Sequence, residues 1–548
     1  MQTKTKFKKT LIGEIPEDWE VVRLERVVDI YDNLRVPLSE MERADRKGPY
    51  PYCGANGIID YIDDYIFEGE YILLAEDGGR YGSFEPSAYI MTGKFWVNNH
   101  AHVLKAKEGV ADNWFILYVL NFLDLTPYVV GSTRKKLNQS HMRKILISLP
   151  PLSEQKQIAQ ILRTVDEAIE KTDLAIEKTE RLKKGLMQRL LTRGINLFAI
   201  NQHKLIKAIG RAFKNRDYAF GREENLVSHL AGYLREEFPN WNIDSEVEKD
   251  SRRRRPDIIV HKRGTPFNLF AIEVKKIEDA NAIKHDIEKL ENLMLGERYR
   301  YAEAVFVGFN IKNPDKISSL SEKVNFILVT EDGKIYIKPR ERTFKKTEIG
   351  EIPEEWRVVR IKDTGKVITG KTPPTSEARY WNGGIPFITP ADVGDAPYVY
   401  TTNRYVSKEG AEKVGSLLPK DTVLVVCIGS TIGKIALTYQ ESITNQQINA
   451  IICKENITPH YLYYTLLFHS KRLKSWSGTA AVPIIKKSLF EKFKIPLPPL
   501  SEQQKIAEIL MTVDRKLELL RRRREKLERI KKGLMRDLLT GRRRVRVE

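Results

Sequence analysis

The sequence predicts an α+β multidomain chain: two unlike α+β bodies, two long antiparallel helices, and an inserted α/β domain. Three observations carry this. The chain has 548 residues, several times the roughly 150 of an average domain. It also repeats itself. Phe7 to Trp19 returns almost unchanged as Phe344 to Trp356, Pro150-Pro151-Leu152-Ser153-Glu154-Gln155 returns as Pro498 to Gln503, and Lys183 to Met187 returns as Lys531 to Met535. Finally, residues 195–343 belong to neither copy. The expected order is a first body (1–149), a first helix (150–194), an insert (195–343), a second body (344–497) and a second helix (498–548).

The bodies share an opening phrase but not their contents. Tyr52-Cys53-Gly54-Ala55-Asn56-Gly57-Ile58-Ile59 in one faces Ile385 to Asp392 in the other, so similar frames hold dissimilar surfaces. Each helix is expected to start at Ser153 or Ser501, where a serine oxygen caps an orphan amide and the prolines upstream stop backward extension. Apolar or small residues then recur every three or four positions: Ile158, Leu162, Val165, Ile169, Thr172, Ile176 and Thr179, matched by Ile506, Leu510, Val513, Leu517 and Leu520. Any long amphipathic helix shows such a pattern, but two copies in matching register favour a coiled-coil-like pair. At about 1.5 Å per residue, some 40 residues make a rod roughly 60 Å long.

Lys and Arg number 92 against 73 Asp and Glu, a net charge of +19, which suits a phosphate-rich partner better than a neutral metabolite. No apolar run approaches the roughly 20 residues a bilayer span needs, and Glu14, Pro16 and Glu17 interrupt any apolar export signal. Cys53, Cys427 and Cys453 form no Cys-x-x-Cys pair, which fits a reducing compartment. A cytoplasmic protein with no membrane partner is the expectation.

Ile12-Gly13-Glu14-Ile15-Pro16 with Trp19, the turn Gly54-Ala55-Asn56-Gly57, the run Gly429 to Lys434, and both Pro-Pro-Leu-Ser-Glu-Gln starts resemble the specificity subunit of type I restriction-modification systems. The resemblance implies two target recognition domains, each reading half of a split double-stranded DNA sequence. It further implies two conserved-region helices that space them and dock methyltransferase and restriction subunits. Such a subunit is non-catalytic by itself and recognises DNA without a cofactor; S-adenosylmethionine and ATP enter only through the partner subunits. Unlike bodies predict an asymmetric target. Candidate DNA contacts near loop tips are Gly79, Arg80 and Tyr81, with Asp77 beside them; Arg134, Lys135, Lys136 and Asn138; and Lys434, Gln446, Lys486 and Lys487. Most real contacts of this kind reach phosphate and set register without specifying sequence. Gly429 to Lys434 lacks P-loop spacing, because three residues separate its glycines and Ile435 follows the lysine, so it reads as a strand turn.

Within the insert, Leu205, Ile206 and Ile209, then Leu226, Leu230 and Leu234, are spaced as helices. An arginine run, Arg252 to Arg255, precedes a predicted hairpin: Pro256 to Val260, a turn at Arg263 to Pro266, and Leu269 to Lys275. Alternation puts Glu273 and Lys275 on one face and Phe270, Ile272 and Val274 on the other. A turn centred on Thr265 sets Asp257 opposite Glu273. Paired carboxylates suit Mg²⁺, and an adjacent lysine suits orientation of water and stabilisation of phosphoryl charge. The pattern resembles the PD-(D/E)xK nuclease superfamily, with Asp257, Glu273 and Lys275 on its motif positions, Glu224 as a fourth catalytic candidate, and Asp257 and Glu273 as metal ligands. Two alternatives stand beside it: a solvent-facing charged strand, and a nuclease-like fold without activity. For the whole chain, the alternatives to a specificity subunit are a self-sufficient Mg²⁺-dependent endonuclease and a helical scaffold without sequence choice.

Overall fold

The repeated opening phrase folds the same way twice. Phe7–Thr10 pairs with Gly13–Pro16, and Phe344–Thr347 with Gly350–Pro353, in antiparallel hairpins. Gly13 and Gly350 close the turns at φ 107° and 113°, a region that side-chain-bearing residues rarely enter. The computed structural model describes residues 6–131, 135–214, 223–245, 256–261, 268–276, 283–295, 301, 303–415, 417–478 and 482–545. It forms two compact units: residues 1–178 with 519–548, and residues 179–518.

The first unit holds the first body. Its six-stranded sheet runs, edge to edge, Val28–Ile30, Ala101–Ala106, Phe67–Ala75, Ala88–Val97, Lys47–Gly54 and Gly57–Ile62. The apolar helix Asn113–Phe122 packs into a core with Ile72, Leu74 and Leu104. The second body is built differently, as sequence divergence predicts. Val423–Val426 lies between Ile448–Cys453 and Ile435–Thr438 in a five-stranded sheet, and a separate three-stranded sheet surrounds Trp381–Ile388. Gly429 to Lys434 falls in the turn joining Val423–Val426 to Ile435–Thr438, where the Val426 amide donates to the Lys434 carbonyl.

The long helices span Leu152–Thr192 and Leu500–Leu539. They begin one residue before the expected serines, so Ser153 and Ser501 lie inside the first turn and are not the caps. The Glu154 and Gln155 amides donate to the Pro151 carbonyl, and those of Glu502 and Gln503 to Pro499; proline serves here because the position needs a carbonyl and no amide. Each unit contains part of both helices, running antiparallel. Lys531 meets Asp166 at 2.6 Å and Arg524 meets Asp173 at 2.5 Å in the first unit, and Lys183 meets Asp514 at 2.7 Å in the second. Tyr118 and Tyr464, from the body of each unit, donate to Asp166 and Asp514 respectively.

The insert belongs to the second unit. Its strands are β1 (Asn242–Ser245), β2 (Ile258–His261), β3 (Asn268–Lys276), β4 (Glu303–Ile311), β5 (Asn325–Thr330) and β6 (Ile335–Lys338), and they form one mixed sheet in sequential order. Helices α1 (Leu197–Lys214) and α2 (Glu223–Glu237) cover one face through Leu205, Ile209, Leu230 and Leu234 against Phe270, Ile272 and Val274. Helix α3 (Lys284–Leu295) covers the other, with Ile283, Ile287 and Leu290 against Ala271, Ala304 and Phe306. No helix among the described residues is long and apolar enough to cross a membrane.

Candidate nucleic-acid interface and candidate metal site

Each body is fastened to the start of one long helix and the end of the other. In the first unit the buried Trp19 indole donates to Glu154 Oε2 at 3.1 Å, Arg544 pairs with both oxygens of Glu154 at 2.8 Å, and Gly541 lies against Pro16 and Trp19. In the second, Trp356 donates to Glu502 Oε2 at 2.9 Å, Arg342 donates to both Glu502 oxygens at 2.8 and 2.9 Å, the Ile195 amide donates to Oε1 at 2.7 Å, and Gly194 lies against Trp356. Burial pushes the Glu502 carboxyl above the usual range and outweighs the Arg342 charge. Gln155 and Gln503 complete the motif by donating to the Pro150 and Pro498 carbonyls and accepting from the Asp112 and Thr458 amides. Sequence reasoning gave the serines of this motif the decisive role. The glutamate and glutamine, equally repeated, were the available signal.

A second buried network links Arg340 to Glu303 at 2.8 Å and to Glu355 at 2.9 Å, and Arg342 to Glu355 at 2.8 Å. Glu303 and Arg340 come from the insert's sheet and its exit, and Glu355 from the second body's opening phrase. The insert is therefore bolted to that body by buried charge-assisted bonds.

The first-body candidates divide sharply. Arg80 and Lys135 are exposed. Arg80 lines a cleft of about 830 Å³ with Asn56, Gly78 and Tyr89, and Asp77 and His100 line an adjoining cleft of about 430 Å³. Tyr81, by contrast, is a core residue whose hydroxyl donates to the Ala75 carbonyl, so its assignment as a DNA contact is corrected: an aromatic ring next to a loop tip was drawn inward by the apolar core. Gly79 is a packing position, because a Cβ there would meet the Ala75 side chain. Lys136 is half-buried and pairs with Glu76 at 2.9 Å. That pair joins a buried cluster in which Glu76 also meets Arg35, while Asp32 accepts from Gln139 and the Val103 amide and lies 2.6 Å from His102 Nδ1. Burial alone would raise the Glu76 and Asp32 carboxyls, but their cationic and amide partners hold both below the usual range. The cluster ties loop 76–81 to segment 135–139, so Lys136 positions the surface. Asn138 is half-buried before the short helix Gln139–Met142, and Arg134 lies outside the described residues.

In the second body Lys434 Nζ donates to the Val393 carbonyl at 2.8 Å, which makes it a loop brace. Gln446 is exposed and accepts from the Thr372 hydroxyl. Lys486 is exposed, and Lys487 is exposed near Glu491 at 3.6 Å.

In the insert, Ile258 lies opposite Ile272 and Val260 opposite Phe270. That register carries Asp257 to the level of Glu273, where its Oδ2 accepts the Val274 amide at 2.8 Å. Glu273 is only 4% exposed, which overturns the alternative of a solvent-facing charged strand. Burial and the neighbouring Asp257 charge push its carboxyl up to about 8, against the opposing pull of Lys289. Helix α3 supplies both counter-charges: Lys289 Nζ stands 2.5 Å from Glu273 Oε1, and Asp286 stands 3.6 Å from Lys275. Glu273 Oε1 is buried, and the Lys289 ammonium is its partner among the described residues. A buried carboxyl beside a second carboxylate, with a cationic group already against its oxygen, suits a hard divalent cation, which takes one or two protein carboxylates and fills its shell with water and phosphate. Among the described residues no group of three or more His, Cys, Asp or Glu side chains could hold a metal, so any ion here relies on that open shell. Glu224 lies in the first turn of α2, but its side chain, like Arg252 to Arg255 and the turn Arg263 to Pro266, lies outside the described residues.

The model of the type I restriction modification DNA specificity domain matches residues 16–178 and again 353–529, more than half of the chain. The chain belongs to that family. The two matched stretches flank the insert. The chain is 38% identical over 197 residues to the type I restriction enzyme MjaIX specificity subunit of Methanocaldococcus jannaschii, a match that covers 35% of this chain and 45% of that protein; the chain thus spans less than half of that relative. It is 24% identical over 570 residues to the putative MjaX specificity subunit of the same organism, covering 98% of this chain and 97% of that one. The solved S subunit of a type I system from M. genitalium superposes with a TM-score of 0.51 at 13% identity, covering 98% of this chain and 99% of that chain, a likeness of fold.

Proposed function

We propose that the two bodies each read one half of a bipartite, asymmetric double-stranded DNA target, that the paired helices set the gap between the halves, and that methyltransferase and restriction subunits assemble on this frame. One observation carries the reading: the same Trp–Glu–Arg lock fastens two unlike bodies to the same pair of antiparallel helices. A repeated frame with divergent surfaces suits two different half-sites. Exposed Arg80 beside its cleft, with Lys135, Gln446, Lys486 and Lys487, supplies the polar and cationic contacts, largely to phosphate. S-adenosylmethionine and ATP enter with the partner subunits. The test is co-purification with the methyltransferase subunits followed by mapping of methylated adenines; one split, asymmetric motif is expected, and random methylation refutes the reading.

The insert supports a second reading, a Mg²⁺-dependent phosphodiesterase site held by Asp257 and Glu273. The buried Glu273 carboxyl, brought level with Asp257 by the strand register, favours it. Bound there, the ion would supply Lewis-acid polarisation of a phosphoryl oxygen. The Val274 amide fixes Asp257 in place, and Lys275 holds a positive charge on the same strand face for developing phosphoryl charge. Plasmid incubated with the full chain and Mg²⁺ should be nicked, and Asp257→Ala or Glu273→Ala should abolish the nicks; intact plasmid leaves the chain a reader alone.

A further inference from the structure

We propose that the Lys289 ammonium holds the cation's place in the insert, so that a divalent metal binds there only by displacing it; this rests on reading Asp257 and Glu273 as the metal-holding pair. The ammonium sits 2.5 Å from Glu273 Oε1 and is the partner of that oxygen among the described residues. Both partners are largely shielded, their side chains being 15% and 5% exposed, so water screens the pair weakly. One turn earlier on α3, Asp286 faces Lys275. Helix α3 thus delivers a charge of opposite sign to each of the two motif side chains on β3, leaving Asp257, among the described residues, as the carboxylate without such a counter-charge from α3.

A dication and an ammonium against one carboxylate oxygen repel each other, and that repulsion rises as the local dielectric falls. Asp257 is pinned by the Val274 amide, so the group free to yield is the four-carbon stem of Lys289. A change of its rotamer opens the oxygen without moving backbone. Lys289 is therefore a positioning residue that sets the threshold for metal entry.

The test is Mn²⁺ titration of the full chain followed by electron paramagnetic resonance, with Lys289→Met, which keeps length and removes charge, and Lys289→Arg, which keeps charge. Lys289→Met should bind Mn²⁺ about tenfold more tightly than the natural chain, and Lys289→Arg no more tightly. Equal affinity in the natural chain and Lys289→Met, with saturable binding lost in Asp257→Asn and Glu273→Gln, would overturn the displacement while leaving the metal site standing. Absence of a saturable Mn²⁺ site from both would overturn the metal reading and the displacement together. Lys289→Arg binding as tightly as Lys289→Met would show that packing, not charge, sets affinity.

Discussion

Replacing Arg342 with methionine removes the cation that, among the described residues, pairs with Glu502, while keeping most of the buried stem. Arg342 is 14% and Glu502 4% exposed at the side chain, and Arg340 still serves Glu355, so the substitution strands a single buried carboxylate. Breaking a buried pair from one side costs about 3–5 kcal/mol; the Trp356 and Ile195 donors that remain place the expectation at the lower end, about 3 kcal/mol. That is roughly a hundredfold loss of hydrogen-exchange protection, read in peptides covering 350–361 and 500–510. Arg544→Met in the first unit is the internal control. Its side chain is 30% exposed, so solvent takes up part of the loss and about 1 kcal/mol is expected. The pH dependence has a definite sign. Glu502 already titrates above the usual range through burial, and losing Arg342 raises it further. A folded-state value above the unfolded one means that stability is retained at low pH and lost as pH rises, so the penalty of Arg342→Met shrinks on acidification. Arg342→Met/Glu502→Gln should recover most of it. Equal losses for the two arginines, or a penalty indifferent to pH, would refute the reasoning.

Four further outcomes follow from the same geometry. Gly194 has φ 70°, and a Cβ there would run into Glu502, Arg342 and Trp356; Gly194→Ala should cost about 2 kcal/mol or more, and a neutral melt would contradict it. Glu273 titrates near 8 against an ordinary 4.5, so the insert should lose stability as pH climbs through that window, by at most about 1.4 kcal/mol per unit, and Glu273→Gln should flatten the slope seen in exchange of peptide 268–276. Arg80→Ala should weaken DNA binding about tenfold and relax sequence choice in one half-site only, as random-site selection would reveal; relaxation in both halves would count against separate readers. One helical turn added to both long helices should widen the gap between half-sites and leave the half-sites themselves intact, and altered half-sites would contradict the spacing role.

Much of the frame was legible because it is repeated. The long helices and the insert's hairpin register follow from local signals, a spacing near 3.5 and alternation across Ile258 to Val260 and Phe270 to Lys275, whereas the opening phrase is visible in the sequence as a repeat but not as a hairpin. The side chains that close the frame were harder to see. Arg544 and Arg342 fill equivalent slots from unrelated chain positions, so no repeat marks them, and Glu273 finds Lys289 through a helix that strand periodicity does not reach. Tyr81 and Lys136 misled for the opposite reason. Loop position suggested a surface, whereas a nearby apolar core claimed one and the Glu76 carboxylate the other.

The partition of the chain also dictates an order of completion during synthesis. Residues 179–518 are contiguous and can close as soon as they have left the ribosome, insert included. The other unit must wait with Trp19 and Glu154 in hand until residues 519–548 arrive with Gly541 and Arg544. The half made first is thus the half finished last, and a chaperone bound to nascent polypeptide would find its longest-lived exposed apolar surface at the open seat for Met535, Leu538 and Leu539.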